Sequence, residues 1–97
     1  LMEEINEQSN QTQDIMNIGN DPVMLTATEV LAKLMIKNEI ILKARGQSIP
    51  NAVAVANIIT GTMATGVYKI EKIKLDTVAE AGIGNMTSTV EIIINKN

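Results

Sequence analysis

The side chains that could perform chemistry in this sequence are carboxylates, lysines and one arginine, because the chain contains no His and no Cys. This composition excludes disulfides, thiolate metal sites and Cys nucleophiles, and it removes the commonest general base and zinc ligand. The acids of the second half, Glu71, Asp76, Glu80 and Glu91, are interspersed with lysines, which is typical of solvated strand surfaces rather than of a catalytic pair. We therefore predict that the protein is not an enzyme and uses no metal or cofactor.

Seven of the eight basic residues form three groups that could contact phosphate: Lys33 with Lys37, Lys43 with Arg45, and Lys69 and Lys72 with Lys74. Such spaced charges either keep a surface soluble or bind a nucleic-acid backbone, and the sequence leaves both interpretations open. Base stacking has little support, because Tyr68 is the only aromatic residue and its strand spacing with Ile70 favours a core position. Any nucleic-acid binding is therefore expected to use phosphates and to depend strongly on salt.

The elements that must position these charges fit in one domain, since the chain has 97 residues. Hydrophobic residues make up 45% of the chain and aromatic residues 1%, so the core must be aliphatic. Residues 1–14 contain four acids and no base, a composition typical of a flexible tail. Residues 15–97 contain the other seven acids and all eight bases, so this predicted domain is nearly neutral although the chain carries a net charge of −3.

The N-terminal residues also bear on where in the cell the protein is expected. Glu3, Glu4 and Glu7 stand where a signal peptide needs basic residues followed by an apolar run. The sequence shows nothing close to the roughly 18 consecutive apolar residues of a membrane span. We therefore expect a soluble, cytoplasmic protein without a membrane partner.

Four segments rich in β-branched residues are predicted as strands: 15–18, 39–44, 67–75 and 87–94. The second is apolar enough to be buried on both faces, and a turn at 45–47 follows it. A long hairpin, 76–86, is expected between the last two strands. The spacing of apolar residues in the third strand predicts a bulge at Glu71 or Lys72.

Two helices are predicted between these strands, which gives the order βαβαββ. Asp21 is expected to cap the first helix with Pro22 at its start, and apolar residues at helical spacing extend it to about Asn38. Ser48 is the expected N-cap of the second helix, and Gly61 is its expected end.

The second helix is apolar on more than one side, since Val55 and Ile58 lie off its main apolar stripe. A chain with about 83 ordered residues and almost no aromatics has little apolar area to bury by itself. Burial of the second side in a symmetric interface would supply more, so we predict a homodimer.

Two segments, IGNDPVM after the first strand and KARGQSIPNAV from Lys43 to Val53, are similar to those of the Alba family. The resemblance covers about residues 15–97. It implies a two-layer α/β sandwich of the α+β type, with a four-stranded mixed sheet and two helices on one face. Members of this family are small archaeal chromatin proteins, homodimers that bind DNA or RNA without sequence specificity through a basic platform and two hairpin arms. The resemblance therefore implies a nucleoid-associated protein if DNA is bound.

Position by position, the basic residues of the family are only partly present. Its Gly-Lys-Lys-Pro loop, which supplies central phosphate contacts, here reads Gly-Asn-Asp-Pro. Two bases are kept in the KARG segment, and neutral residues replace two others that are often found nearby. The nucleic-acid-binding positions that the resemblance implies are Asn20, Asp21, Lys43, Arg45, Gln47 and Asn51.

Two further parts of the family's surface are also changed. Thr60 and Thr62 stand where bases are often seen, and Met63 replaces a Phe implicated in contacts between dimers. The hairpin arm, commonly Arg-bearing, has Glu80 as its only charged residue over positions 80–86.

These substitutions lead to three hypotheses. The first is an Alba-like dimer whose nucleic-acid binding is greatly weakened or lost. The second is weak or selective DNA or RNA binding through Lys43 and Arg45, with a more basic Alba relative as a possible heterodimer partner. The third is a protein-interaction module in which methionines are the adaptable apolar contacts: Met24, Met35, Met63 and Met86.

Overall fold

Four strands form one mixed sheet in the computed structural model, which describes residues 14–79 and 85–97. The strands are β1 (Ile15–Asn17), β2 (Glu39–Arg45), β3 (Tyr68–Ala79) and β4 (Met86–Lys96), in the spatial order β1-β2-β4-β3. β1 runs parallel to β2, and the other neighbouring strands are antiparallel. With helices α1 (Val23–Lys37) and α2 (Ile49–Ile58), the predicted order βαβαββ and the predicted fold class are confirmed.

Both helices pack on the same face of the sheet and enclose an aliphatic core. The sheet contributes alternate residues of β2 and β4, since side chains two positions apart share a face: Ile40, Leu42 and Ala44, and Val90, Ile92 and Ile94. The helices contribute Ala27, Val30, Leu34, Ala52, Val55, Ala56 and the adjoining Ile59. Tyr68 is buried in this core as well, as its spacing with Ile70 indicated.

Helix α1 starts without a side-chain cap. Pro22 occupies the N-cap position, and its carbonyl oxygen accepts the Thr26 N–H at 3.1 Å. The prediction that Asp21 caps the helix was therefore wrong; the fixed φ of proline already directs the chain into the helix. The predicted end is confirmed, because Asn38 adopts a φ of 68° and donates its N–H to the Leu34 carbonyl at 2.8 Å.

Helix α2 is preceded by a short 3-10 turn, and Ser48 occupies its N-cap position without a side-chain hydrogen bond. The prediction that Gly61 ends this helix was wrong. The helix instead widens into a π turn, Ile59–Met63, which closes with a hydrogen bond from the Ala64 N–H to the carbonyl of residue 59 at 2.9 Å. The positive φ of 82° that requires a glycine occurs later, at Gly66.

The second apolar side of α2 is largely covered within one chain. Val55, expected to lie off the main stripe, is fully buried. Ile58 is partly buried and packs against the same core. Support for a dimer must therefore come from other apolar residues.

The last two strands are longer than the sequence indicated. Their ladder continues to Ala79 opposite Met86, so residues 76–79 and 86 of the predicted hairpin 76–86 are strand. Thr and Val residues favour this extension, and the Thr77 and Ser88 hydroxyls lie 3.3 Å apart across it. The bulge is confirmed, because the register shifts between Ile70 and Lys72 and leaves Glu71 as the extra residue.

Two predicted segments lie mostly outside the described residues. Of the predicted tail, residues 1–14, the structure describes only Asp14, whose carbonyl oxygen accepts the Ile41 N–H at 2.8 Å. Of the predicted arm, residues 80–86, it describes only Asn85 and Met86.

Candidate nucleic-acid interface

The loop that follows β1 is held at one end of the sheet by two hydrogen bonds. The Ile18 N–H donates to the Lys43 carbonyl oxygen at 2.8 Å, which continues the pairing of β1 with β2. The Asn51 side-chain amide in the first turn of α2 donates to the Gly19 carbonyl oxygen, also at 2.8 Å. These bonds bring the loop, the end of β2 and the start of α2 together, and both Asn20 and Asp21 are exposed on the loop.

The two bases at this end of the sheet lie on the face that the helices leave open. Lys43 and Arg45 are two residues apart on β2, so they share this face with Ile41, which is itself buried. On this face β2 is buried at Ile41, half-buried at Lys43 and exposed at Arg45, so the prediction that the strand is buried on both faces holds only in part. An open groove of about 480 Å³ runs beside the two bases, and it is lined by Asn17, Ile18, Lys43, Ala44, Arg45, Thr89, Val90 and Glu91.

A carboxylate lies between two lysines on this open face. The Lys43 Nζ is 3.6 Å from one oxygen of Glu91, and the Lys74 Nζ is 3.9 Å from the other. The strand register explains the arrangement, because Glu91 on β4 is opposite Lys43 on β2 and Lys74 on β3. Exposed ion pairs of this kind stabilise a fold by about 0–1 kcal/mol each. They reduce the positive potential at this surface, but an anion that binds the lysines more strongly can replace the carboxylate.

The remaining candidate positions are either exposed to solvent or hydrogen-bonded within the chain. Gln47 is exposed in the 3-10 turn Gly46–Ser48. Asn51 has a structural role, because its amide holds the Gly19 carbonyl. Thr60, which stands at an often basic family position, lies in the π turn and donates its hydroxyl to the Ala56 carbonyl at 2.9 Å.

Sequence reasoning named Lys74 as a basic residue and Glu91 as a solvated acid, but it did not place either of them beside Lys43. Period-two spacing places each on a face of its own strand, but only the register of three strands brings both beside Lys43. The available signal was an acid on β4 opposite a base on β2. It can be recognised only once β4 is known to lie between β2 and β3.

No helix in residues 14–79 and 85–97 is long and apolar enough to cross a membrane. No group of three or more acid side chains in the same residues could hold a metal ion.

Comparison with known proteins adds to this geometry. The Alba family model matches residues 14–77. The DNA/RNA-binding protein Alba of Nitrosopumilus maritimus is 34% identical over 92 residues, which cover 92% of this chain and 97% of that protein.

Solved structures agree with that match. Alba from Thermoplasma volcanium has a TM-score of 0.73 and 33% identity, and the match covers 84% of this chain and 99% of that one. ALBA1 from Trypanosoma brucei has a TM-score of 0.69 at 18% identity, covering 86% of this chain and 68% of that one, and supports the fold alone. On the family model, the Nitrosopumilus relative and the shared fold, the chain belongs to the Alba family.

Proposed function

We propose that this protein is a non-enzymatic, cytoplasmic Alba homodimer whose binding to DNA and RNA is greatly weakened or lost. The observation that carries the proposal is the loop between β1 and α1. It sits at the end of the sheet beside the groove, yet exposes Asn20 and Asp21 where the family resemblance implies two lysines. The relatives support the functional class, since the Nitrosopumilus protein is named a DNA/RNA-binding protein.

The electrostatic consequence of the loop follows from counterion release. Each phosphate contact that is lost removes about 0.9 from the slope of log affinity against log salt. A homodimer lacks four lysine charges at the loop, two per chain, and gains two carboxylates. Asp21 adds repulsion where a phosphate would approach, so affinity falls further than the missing contacts alone require.

The ion pairs on the open face act in the same direction. A phosphate that binds Lys43 must compete with Glu91, which lies 3.6 Å away. The same carboxylate also faces Lys74 at 3.9 Å, so it partly neutralises two of the lysines of this face. The residual positive charge at this end of the sheet is therefore smaller than a count of its bases suggests.

A second candidate function is weak or selective DNA or RNA binding through Lys43 and Arg45. The observation that favours it is the groove of about 480 Å³, which both residues line. In that case a heterodimer with a more basic Alba chain would supply the missing phosphate contacts.

The homodimer is supported by apolar residues on the helix-side face of the β3–β4 hairpin. Ile73 and Leu75 are opposite the buried Ile92 and Val90, so they share the face that the helices cover elsewhere. They remain 54% and 78% exposed in one chain. A symmetric partner that covers this face would remove both side chains from water.

The two candidates are separated by a charge-reversal experiment. Fluorescence anisotropy would measure binding to duplex DNA and to RNA at low salt for the wild type and for Lys43→Glu/Arg45→Glu. Lys69→Glu/Lys96→Glu is the matched control, because it changes the charge equally at the other end of the sheet. The main proposal expects weak or undetectable wild-type binding. A measurable affinity that only the first variant abolishes would establish the second candidate instead.

A further inference from the structure

The groove at the end of the sheet is lined by more than basic residues. The strand register places Asn17, Lys43 and Glu91 in one row across β1, β2 and β4. Arg45 and Thr89 form the next row toward the end of the sheet. The volume of about 480 Å³ lies within the roughly 300–1,000 Å³ of pockets that hold small molecules. The groove therefore has room for a ligand larger than a phosphate ion.

The most deeply buried residues of the groove are apolar. Ile18, Ala44 and Val90 line it and are all buried. Two uncharged polar side chains, Asn17 and Thr89, line it as well. This combination offers contact to a planar or apolar group and hydrogen bonds to its edge, as in most sites for small organic ligands.

The two bases of the groove can hold one phosphate between them. Lys43 and Arg45 are two residues apart on one strand face, so their Cα atoms are about 7 Å apart. A phosphate between them can accept hydrogen bonds from the ammonium group and from the two parallel N–H groups of the guanidinium. A terminal phosphate carries a charge of about −1.5 to −2 at neutral pH. It therefore competes for Lys43 better than the single charge of Glu91 does.

The Glu91 carboxylate determines what else the ligand must carry. An ionised carboxylate only accepts hydrogen bonds, so it repels phosphate and binds hydroxyl or amine groups. Lys74 lies 3.9 Å from one oxygen of Glu91 and holds it when Lys43, 3.6 Å from the other oxygen, turns to a phosphate. Acidic side chains hold the ribose 2′-hydroxyl of bound dinucleotides in this way. A phosphate, a ribose and a planar base together match the charges and the apolar lining of the groove.

We propose that this groove binds a single unpaired ribonucleotide, with its terminal phosphate between Lys43 and Arg45 and its ribose hydroxyls on Glu91. The nucleotide is either free or at the 5′ end of a strand, because a base inside a duplex leaves its stack only at a cost in free energy. Such a site needs neither the loop residues nor contacts along a strand, and so goes beyond the proposed function. The groove opens on the face away from Ile73 and Leu75, so the homodimer leaves it accessible.

The site is tested by titrating isotope-labelled protein and following its backbone amides by NMR, because the shifted amides show where a ligand binds. The probes are AMP, dAMP and inorganic phosphate. We expect AMP to shift the amides of residues 43–45 and 89–91, which line the groove. AMP is expected to bind about tenfold more tightly than inorganic phosphate and about fivefold more tightly than dAMP, which lacks the 2′-hydroxyl.

Three results of this titration would overturn the proposal. Inorganic phosphate that binds as tightly as AMP would reduce the groove to an anion site. Equal affinities for AMP and dAMP would remove the ribose from the site. Absence of shifts at the groove would mean that no nucleotide binds there, and it would leave the proposed loss of nucleic-acid binding standing.

Glu91→Leu tests the carboxylate directly. This variant is expected to lose the preference for AMP over dAMP, yet to bind inorganic phosphate at least as tightly as the wild type, because Lys43 is released. Glu71→Leu is the matched control, since Glu71 also pairs with a lysine, Lys69 at 3.6 Å, but does not line the groove. The NMR spectrum of each variant shows whether it is folded. Loss of the preference in both variants, or in neither, would contradict the assignment of Glu91.

Two further probes distinguish a free nucleotide from the end of a strand. They are a short single-stranded RNA with a 5′-phosphate and the same RNA in a blunt duplex. Weaker binding of the single strand than of AMP would assign a free nucleotide, and equal or tighter binding at the same amides would assign a strand end; both support the site. Binding of the duplex in the groove as tightly as the single strand would overturn it, because the paired base cannot enter.

Discussion

At the scale of single residues, Asn51 shows how a family position can change its role. The family resemblance places it among the nucleic-acid-binding positions, whereas the structure uses its amide to hold the Gly19 carbonyl at 2.8 Å. Asn51→Ala is expected to lower the free energy of unfolding by about 1 kcal/mol, because this hydrogen bond is lost. Urea denaturation measures the change. Asn57→Ala, an exposed residue on the same helix, is the control, and equal losses in both variants would contradict the role of Asn51.

How far residue roles follow from sequence depends on the range of the interaction. Lys43 and Arg45 share a face because of the period of two in a strand, and that needs no tertiary information. The pairing of Glu91 with both Lys43 and Lys74 depends on the strand register, which sequence spacing did not supply. The prediction that Asp21 caps helix α1 was wrong, because the proline at the next position sets the helix start without a side-chain hydrogen bond.

At the scale of elements, helix α1 offers a direct comparison of its two faces. Leu34 is fully buried against the sheet, and Leu25 is 55% exposed on the outward face. Leu34→Ala is expected to cost about 2–5 kcal/mol of unfolding free energy, because it leaves a cavity in the core. Leu25→Ala is expected to stay within about 0.5 kcal/mol when measured on dilute protein. Thermal or urea unfolding compares them, and similar losses would mean that the faces are assigned incorrectly.

Element types followed from the sequence, but several element ends did not. The order βαβαββ and a bulge at Glu71 or Lys72 follow from apolar spacing alone, and the strand register assigns the bulge to Glu71. The extension of β3 to Ala79 depends on its pairing with β4. Asp76 and the polar residues near it made this segment look like a turn in the sequence. The π turn Ile59–Met63 similarly depends on packing, because Gly61 is as compatible with a helix end as with a wider turn.

At the scale of the whole molecule, the assembly is expected to rest on the hairpin face. Leu75 is 78% exposed in one chain and shares its face with Ile73. We expect the wild type to sediment as a dimer at micromolar concentration and Leu75→Glu to sediment as a monomer, since a charge there cannot be buried unpaired. Lys72→Glu, on the opposite face of β3, should remain dimeric. A monomeric wild type would contradict this assembly.

The net charge of the molecule alone does not explain the proposed loss of binding. The excess of acids lies largely in residues 1–14, and residues 15–97 are nearly neutral, so a local phosphate site remains compatible with the total charge of −3. The proposal rests instead on where the charges are: Asp21 on the loop and Glu91 between two lysines of the open face.

The most direct test restores the two lysines of the family loop. Asn20→Lys/Asp21→Lys and the wild type would be titrated against the same duplex DNA and RNA over a series of salt concentrations. The account predicts weak wild-type binding with a shallow salt slope, and a variant that binds more tightly with a slope steeper by up to about 1.8 per chain, two phosphate contacts at 0.9 each. Tight wild-type binding at low salt that the two lysines leave unchanged would contradict it.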